Sequence, residues 1–204
     1  MFLLKDLKKC VERCKISGDN PKYYSKFQLA SVMILFSIDL KKKRNEIILI
    51  KKKSHLRKHS GQIAFPGGKK DVIDLNLFET ACRETFEEIN LKKLDLKVLG
   101  ELPFFFTGTG YKVKPFLSVI QNNRSFKNKL YPDQNEVDKI IIADASSLLN
   151  PKNHFRVKAP KNSLMKMTWK IKYNNENIWG LTARLLITLS AGFKLRKFPL
   201  CNDI

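Results

Sequence analysis

The run FPGGKKDVIDLNLFETACRETFEEI, residues 65–89, constrains this 204-residue chain more than any other stretch. Residues 77–89 hold no Gly or Pro and are rich in helix formers, so a helix is expected there. Asp74 or Asn76 would supply its N-cap. Glu84, Glu87 and Glu88 stand at i, i+3 and i+4, which puts the three carboxylates on one face. Like charges at this spacing repel by roughly a few tenths of a kcal/mol per pair. Glu87 and Glu88 also fall in the last turn, where the helix dipole disfavours anions. Such a cluster opposes its own helix unless a cation joins it. Carboxylate oxygens, completed by water and phosphate, are the shell that magnesium takes. Leu77, Phe78, Ala81 and Cys82 are expected to face the core, with Phe86 and Ile89 continuing that face. Arg83 is placed to orient a glutamate by a charge-assisted hydrogen bond.

Taken alone, an acidic pair at a helix end is more often solvated than ligating. Gly67-Gly68 after Pro66 changes the balance. Read as a tight turn, it lets backbone approach a ligand closely. The stretch as a whole resembles the Nudix box, G-x5-E-x7-R-E-U-x-E-E-x-G-U, with U aliphatic. Arg83, Glu84, Thr85, Glu87, Glu88 and Leu91 fall on its right-hand half. The gap from Gly68 to Arg83 is one residue longer than the general form. Asp71 and Asp74 take the place of the left-hand glutamate. Asn90 stands where the family has glycine, and Asn tolerates the left-handed conformation of a helix C-terminus.

Residues 52–68, KKSHLRKHSGQIAFPGG, lead into the box as a basic, glycine-containing loop. A basic loop beside an acidic metal site suits phosphate cleavage, because cations bind the anion while the metal activates water. Arg57 is the candidate for a bidentate phosphate contact. The stretch resembles the additional signature of the coenzyme A pyrophosphatase branch, roughly L-L-T-x-R-[SA]-x3-R-x3-G-x3-F-P-G-G. Ile48, Leu49, Arg57, Gly61, Phe65, Pro66, Gly67 and Gly68 match it, while Ile50, Lys52 and Lys53 depart. Lys52 keeps the charge of the arginine it replaces. The spacing from Gly67 to Asp74, the segment around Thr109 to Pro115, and WG-x-TA at 179–183 are similar to the same branch. The likeness therefore runs from Leu29 to Gly192.

The resemblance implies an α/β Nudix fold, a mixed sheet sandwiched between helices. Periodicity alone reaches only a mixed α/β domain. It also implies metal-dependent hydrolysis of the diphosphate bond of coenzyme A or a derivative, giving 3′,5′-ADP and 4′-phosphopantetheine products. Mg²⁺ or Mn²⁺ would sit on Glu84, Glu87, Glu88 and the Gly67 carbonyl. By the same resemblance Glu136 would be a further metal ligand or the water-activating base. Arg57, Lys52, Gly61, Phe65 and Gly68 would bind substrate. Two alternatives stay open. One is a Nudix hydrolase of another nucleoside diphosphate derivative, such as ADP-ribose or NADH. The other is a basic nucleic-acid-binding protein with an inactive Nudix fold.

Net charge bears on that last alternative. The chain carries +20, yet residues 61–100 hold 6 basic and 7 acidic side chains. Basic surroundings attract a polyanionic substrate to an acidic centre. No stretch interleaves aromatic and basic residues as a nucleic-acid groove would, so no nucleic-acid partner is expected. No apolar run of about 18 residues exists, so no membrane partner is expected either. The N-terminal run, broken at Lys5 and Asp6, reads as an amphipathic helix and not as a signal peptide. Cys10, Cys14, Cys82 and Cys201 read as reduced thiols of a cytoplasmic protein. Cys10 and Cys14 share a helix face without a second pair to complete a zinc site. His55 and His59 stand among Arg57, Lys58 and Gly61, a poor setting for a metal pair. Homodimerisation is left open. The expected organisation is a lead-in helix within 1–27, a domain at 28–192 and a tail at 193–204. Strands are expected at 28–40 and 46–51 as a hairpin, then at 95–103, after a loop with a glycine-flanked tip within 104–120, and at 139–143, 166–173 and 176–178. A short helix is expected at 144–149 and a closing helix from 179.

Overall fold

The densest β-compatible run, Gln28–Asp39, forms strand β1 at the centre of a mixed sheet. This computed structural model describes residues 2–15, 27–39, 43–54, 61–121 and 126–197. Arg57, His55, His59 and Cys201 lie outside the described residues. Strand β2 (Arg44–Lys52) returns antiparallel to β1, as the hairpin pattern predicts, with Leu35 opposite Ile48. Strand β7 (Tyr111–Ile120) runs parallel to β1 on its other side, from Gln28 opposite Tyr111 to Phe36 opposite Val119. Strands β5 (Leu96–Glu101) and β8 (Val137–Asp144) pair antiparallel with β7 and β2.

Three short strands occupy stretches expected as loop: β3 (Ile63–Ala64) on β2, β4 (Gly67–Lys69) on β1 and β6 (Phe105–Phe106) on β7. Gly67-Gly68 is thus a strand and not a tight turn. Gly67 has φ +153, and a Cβ on it would lie 2.3 Å from the Ser31 carbonyl oxygen and 2.7 Å from Val32 Cα. Only glycine lets β4 lie this close to β1. A second antiparallel sheet joins β9 (His154–Lys158), which periodicity did not reveal, to β10 (Met167–Tyr173) and β11 (Glu176–Trp179).

Strand side chains alternate between two cores. Met33, Leu35, Ile48 and Ile50 pack in the core that includes Ala81, Cys82 and Ile89 of helix α2 (Leu77–Ile89). Ile34, Phe36, Ile47 and Leu49 pack against α1 (Leu4–Cys14), α4 (Ala145–Leu149) and α5 (Gly180–Gly192). Helices cover both faces, which a central parallel pair requires. The remaining helix, α3, is one turn at Phe126–Lys129. Helices α1 and α5 meet closely: Cys10 and Cys14 donate to the carbonyls of Leu189 and Thr188, both at 3.5 Å. A Cβ on Gly192 would lie 2.6 Å from the Cys14 sulfur. Among the described residues, no helix is long and apolar enough to cross a membrane.

Candidate active site

Helix α2 begins at the second of its two candidate caps. The Asn76 side chain accepts from the backbone N–H groups of Phe78 (2.9 Å) and Glu79 (3.0 Å). Its C-terminus closes on Asn90 in the left-handed conformation, φ 57, with the Asn90 N–H donating to the Phe86 carbonyl at 2.8 Å. Asn therefore fills the position that glycine takes in the box.

Which side of α2 is buried sets the environment of each glutamate. The stripe facing the sheet contains Ala81, Thr85 and Ile89. Phe86 lies about 140° around the helix from Ala81. It is 44% exposed and does not continue the core face as expected. Relative to Ala81, Glu88, Glu84 and Glu87 lie about 20°, 60° and 120° around, on the opposite side from Phe86. Their side-chain exposures, 3%, 16% and 55%, follow that order. The three carboxylates span an arc from the core to the surface.

Two cations hold that arc. Arg83 donates through Nη1 to Glu87 Oε2 at 2.8 Å and stands 3.0 Å from Glu84 Oε1. Its Nε and Nη2 grip both oxygens of Asp74, at 2.9 and 3.0 Å. Asp74 is buried and also accepts from the Thr80 hydroxyl (2.9 Å) and the Asp71 N–H (2.8 Å). The hydrogen bonds from Arg83 are the main reason its carboxyl is held well below the usual range. Asp74 thus anchors the arginine, a function that a cap assignment missed. Its place in the left half of the box was the available signal.

Lys52 is the second cation. It donates to Glu88 Oε1 and, at 3.0 Å, to Glu136 Oε2. The pairing of β2 with β8 shifts register between Lys51, opposite Lys139, and Lys52, opposite Val137. A bulge of this kind re-aims a side chain. Burial disfavours the Lys52 ammonium, but Glu88 and Glu136 outweigh it and the net shift is upward. The other Glu88 oxygen accepts from the Gly67 N–H at 2.9 Å. Burial pushes the Glu88 carboxyl up to about 7 and also raises that of Glu84. The loop carrying Glu136 is tied to the same place, since the Asp133 N–H donates to the Glu88 carbonyl at 3.0 Å and the Lys53 N–H to the Glu136 carbonyl at 2.9 Å.

The structure therefore brings Glu84, Glu88, Glu136, Lys52, Gly67 and Gly68 together, with Glu87 at the rim. A Cβ on Gly68 would lie 2.4 Å from the Glu84 carboxylate, so its bare backbone makes room for that group. Phe65 is buried in the core on the α1 and α5 side, turned away from the α2 face. It therefore supports the strand entry instead of reaching a substrate. Gly61 has φ 64, and its N–H donates to the Lys53 carbonyl at 3.4 Å. Among the described residues, no three Asp, Glu, His or Cys side chains are arranged as a ready metal cage. Arg83 and Lys52 hold the carboxylates instead.

The comparisons agree with this architecture. The NUDIX domain family model matches residues 28–160. The chain is 31% identical over 144 residues to the uncharacterized Nudix hydrolase NudL of Yersinia enterocolitica, covering 71% of this chain and 72% of that protein. It is 32% identical over 140 residues to the NudL of Yersinia pestis, covering 69% and 68%. A MutT/nudix family protein from Enterococcus faecalis shares the fold, with a TM-score of 0.50 at 14% identity over 93% of this chain and 73% of that chain. A buried glutamate behind a double-glycine strand, an arginine locked between aspartate and the box glutamates, and a family match across the whole central sheet leave one conclusion: the chain belongs to the Nudix family.

Proposed function

We propose that the protein hydrolyses the diphosphate bond of a nucleoside diphosphate derivative, and that this substrate is coenzyme A or a derivative of it. The observation that carries the reading is Glu88. It is a buried carboxylate raised to about 7, held between the Gly67 N–H and a lysine, beside a second glutamate that burial also raises. The narrower choice of coenzyme A rests on the HLRKHSGQIAFPGG run and its likeness to that branch. We take residues 28–192 as the catalytic unit, with 1–27 as lead-in and 193–204 as tail.

The donor set fits a hard dication. Glu84, Glu87, Glu88, Glu136 and the Gly67 carbonyl are all oxygen donors, and two of the carboxylates are destabilised by burial. These residues would hold Mg²⁺ or Mn²⁺. When bound, such an ion lowers the pKa of its water and neutralises charge developing on the phosphates. Arg83 keeps Glu84 and Glu87 oriented. Glu136 either completes the donor set or takes the proton of the attacking water. Lys52, Gly61 and Gly68 flank the diphosphate, and the resemblance assigns its bidentate contact to Arg57, which lies outside the described residues. Water adds to one phosphorus, and the bond to the bridging oxygen breaks. The products are 3′,5′-ADP and a 4′-phosphopantetheine.

Turnover of free coenzyme A with Mg²⁺, set against ADP-ribose and NADH, tests the reading. Coenzyme A should give the largest kcat/KM. Preference for ADP-ribose would move the protein to the other nucleoside diphosphate derivatives. No hydrolysis of any of them, with salt-sensitive RNA binding, would favour the nucleic-acid alternative.

Two further outcomes are expected. In Gly68→Ala the new Cβ meets the end of a flexible side chain, so the fold should survive while Glu84 is displaced. A misplaced group of this kind lowers turnover by about 10²-fold. Circular dichroism melting beside the kinetics checks both halves. The second concerns pH. Because Glu88 must lose its proton to meet a dication, Mn²⁺ uptake should strengthen as pH rises through about 7. A carboxyl raised on folding binds more protons in the folded state, so the metal-free protein loses stability over the same rise. Calorimetric Mn²⁺ titrations at about pH 6 and pH 8 should differ by roughly tenfold in affinity. Equal affinities would remove Glu88 from the donor set.

A further inference from the structure

The sheet register gathers three lysines on the face that carries Glu84. Gly68 pairs with Ser31 across β4 and β1, and Ser31 pairs with Lys114 across β1 and β7. In the next row the Lys70 N–H donates to the Leu29 carbonyl at 3.0 Å, and Leu29 lies opposite Lys112. Residues two apart on a strand share a face. Lys112 and Lys114 therefore share one with Phe116, which packs in the α2 core. Gly68 is on that face too, directly against the Glu84 carboxylate. With strands about 4.8 Å apart and like-facing residues about 7 Å apart, the Cα atoms of Lys114 and Lys112 lie roughly 10–12 Å from Gly68.

Two of these lysines, Lys70 and Lys114, border a cavity of about 510 Å³ lined also by Leu29, Leu77, Phe78, Phe116, Asn76 and Glu101, while Lys112 stands beside that lining, opposite Leu29. Phe78 and Phe116 pack edge to face, with ring centroids 5.3 Å apart. The ammonium groups of Lys112 and Lys114 lie 4.4 and 4.8 Å from the centroid of one ring, that of Phe104. Lys114 also pairs with Glu101 at 2.6 Å, while its side chain is only 15% exposed. An apolar pocket edged by Lys114, with a second ammonium group on the same Phe104 ring, suits an aromatic base joined to an anion.

We propose that this cavity holds the nucleoside end of the substrate, with the base against Leu77, Phe78 and Phe116 and a ribose phosphomonoester on Lys112 and Lys114. The inference rests on the diphosphate-hydrolase reading and names its substrate class: nucleotides with a further phosphate on the ribose. It predicts that the protein tells 3′-phosphorylated from unphosphorylated nucleotides through residues of β7, outside the box.

Calorimetric titration of 3′,5′-ADP and of 5′-AMP onto the full chain tests this without turnover. The bisphosphate should bind about tenfold more tightly, the gain expected of one charge-assisted contact. Lys112→Met and, separately, Lys114→Met should bring the two affinities to within about twofold. Lys139→Met, in a lysine of β8 paired with Glu176, should keep the preference and controls for lost overall charge. The kcat/KM ratio of coenzyme A to its 3′-dephospho form should collapse in the same two variants. Equal affinity of the parent for both nucleotides overturns the proposal, as does a preference that survives both substitutions. If the parent cleaves no diphosphate but keeps the preference, the catalytic reading fails and this site stands.

Discussion

Glu88→Gln should lower metal-dependent turnover by at least about 10²–10³-fold, as removal of a single preorganised electrostatic group does elsewhere. The substitution keeps size and shape, so the comparison isolates charge. Its amide oxygen can still accept from the Gly67 N–H, and Lys52 still has Glu136 as partner. The amide NH₂ would then face the Lys52 ammonium, a donor against a donor, costing about 1–2 kcal/mol of stability. The variant should therefore fold, show weaker Mn²⁺ uptake, and lack the rise in uptake through about pH 7 that is expected of the parent. Turnover within tenfold of the parent in folded material would take Glu88 out of the chemistry.

Asp74→Asn should act on the scaffold first. The parent carboxylate is buried and receives Arg83 through two parallel bonds, with Thr80 and the Asp71 N–H completing its shell. An amide keeps one acceptor and offers an NH₂ group to a guanidinium that can only donate. Removing one partner from such a pair costs about 3 kcal/mol. For a chain of this length that corresponds to a fall of roughly 6–12 °C in melting temperature. The carboxyl is depressed in the folded state, so its contribution is fully present above the ordinary aspartate pKa. It is lost as pH falls through the folded-state value. Urea unfolding of parent and variant should therefore differ most near neutrality and converge in acid. Arg83 also holds Glu84 and Glu87, so activity should fall along with stability. Equal unfolding free energies at neutral pH, with unchanged m-values, would show that Arg83 does not depend on this anchor.

The sequence by itself determined the features whose causes are local. Helix α2 spans 77–89, as the absence of Gly and Pro and the available caps predicted. The β1–β2 hairpin followed from two apolar runs around a basic turn. The glutamates were set at helical spacing, and the box they belong to was readable in the order of residues. Tertiary structure alone decided how those glutamates differ. Burial of Glu88 and exposure of Phe86 depend on the rotation of α2 against the sheet, which lies beyond the reach of one helical turn. Gly67-Gly68 became a strand because β1 offered an edge close enough for a chain without side chains. Lys52 reached Glu88 and Glu136 across separations of 36 and 84 residues, through a bulge that only the pairing of β2 with β8 creates. Local sequence sets torsions and periodicity, whereas burial and charge pairing are settled by which distant surfaces exclude water together.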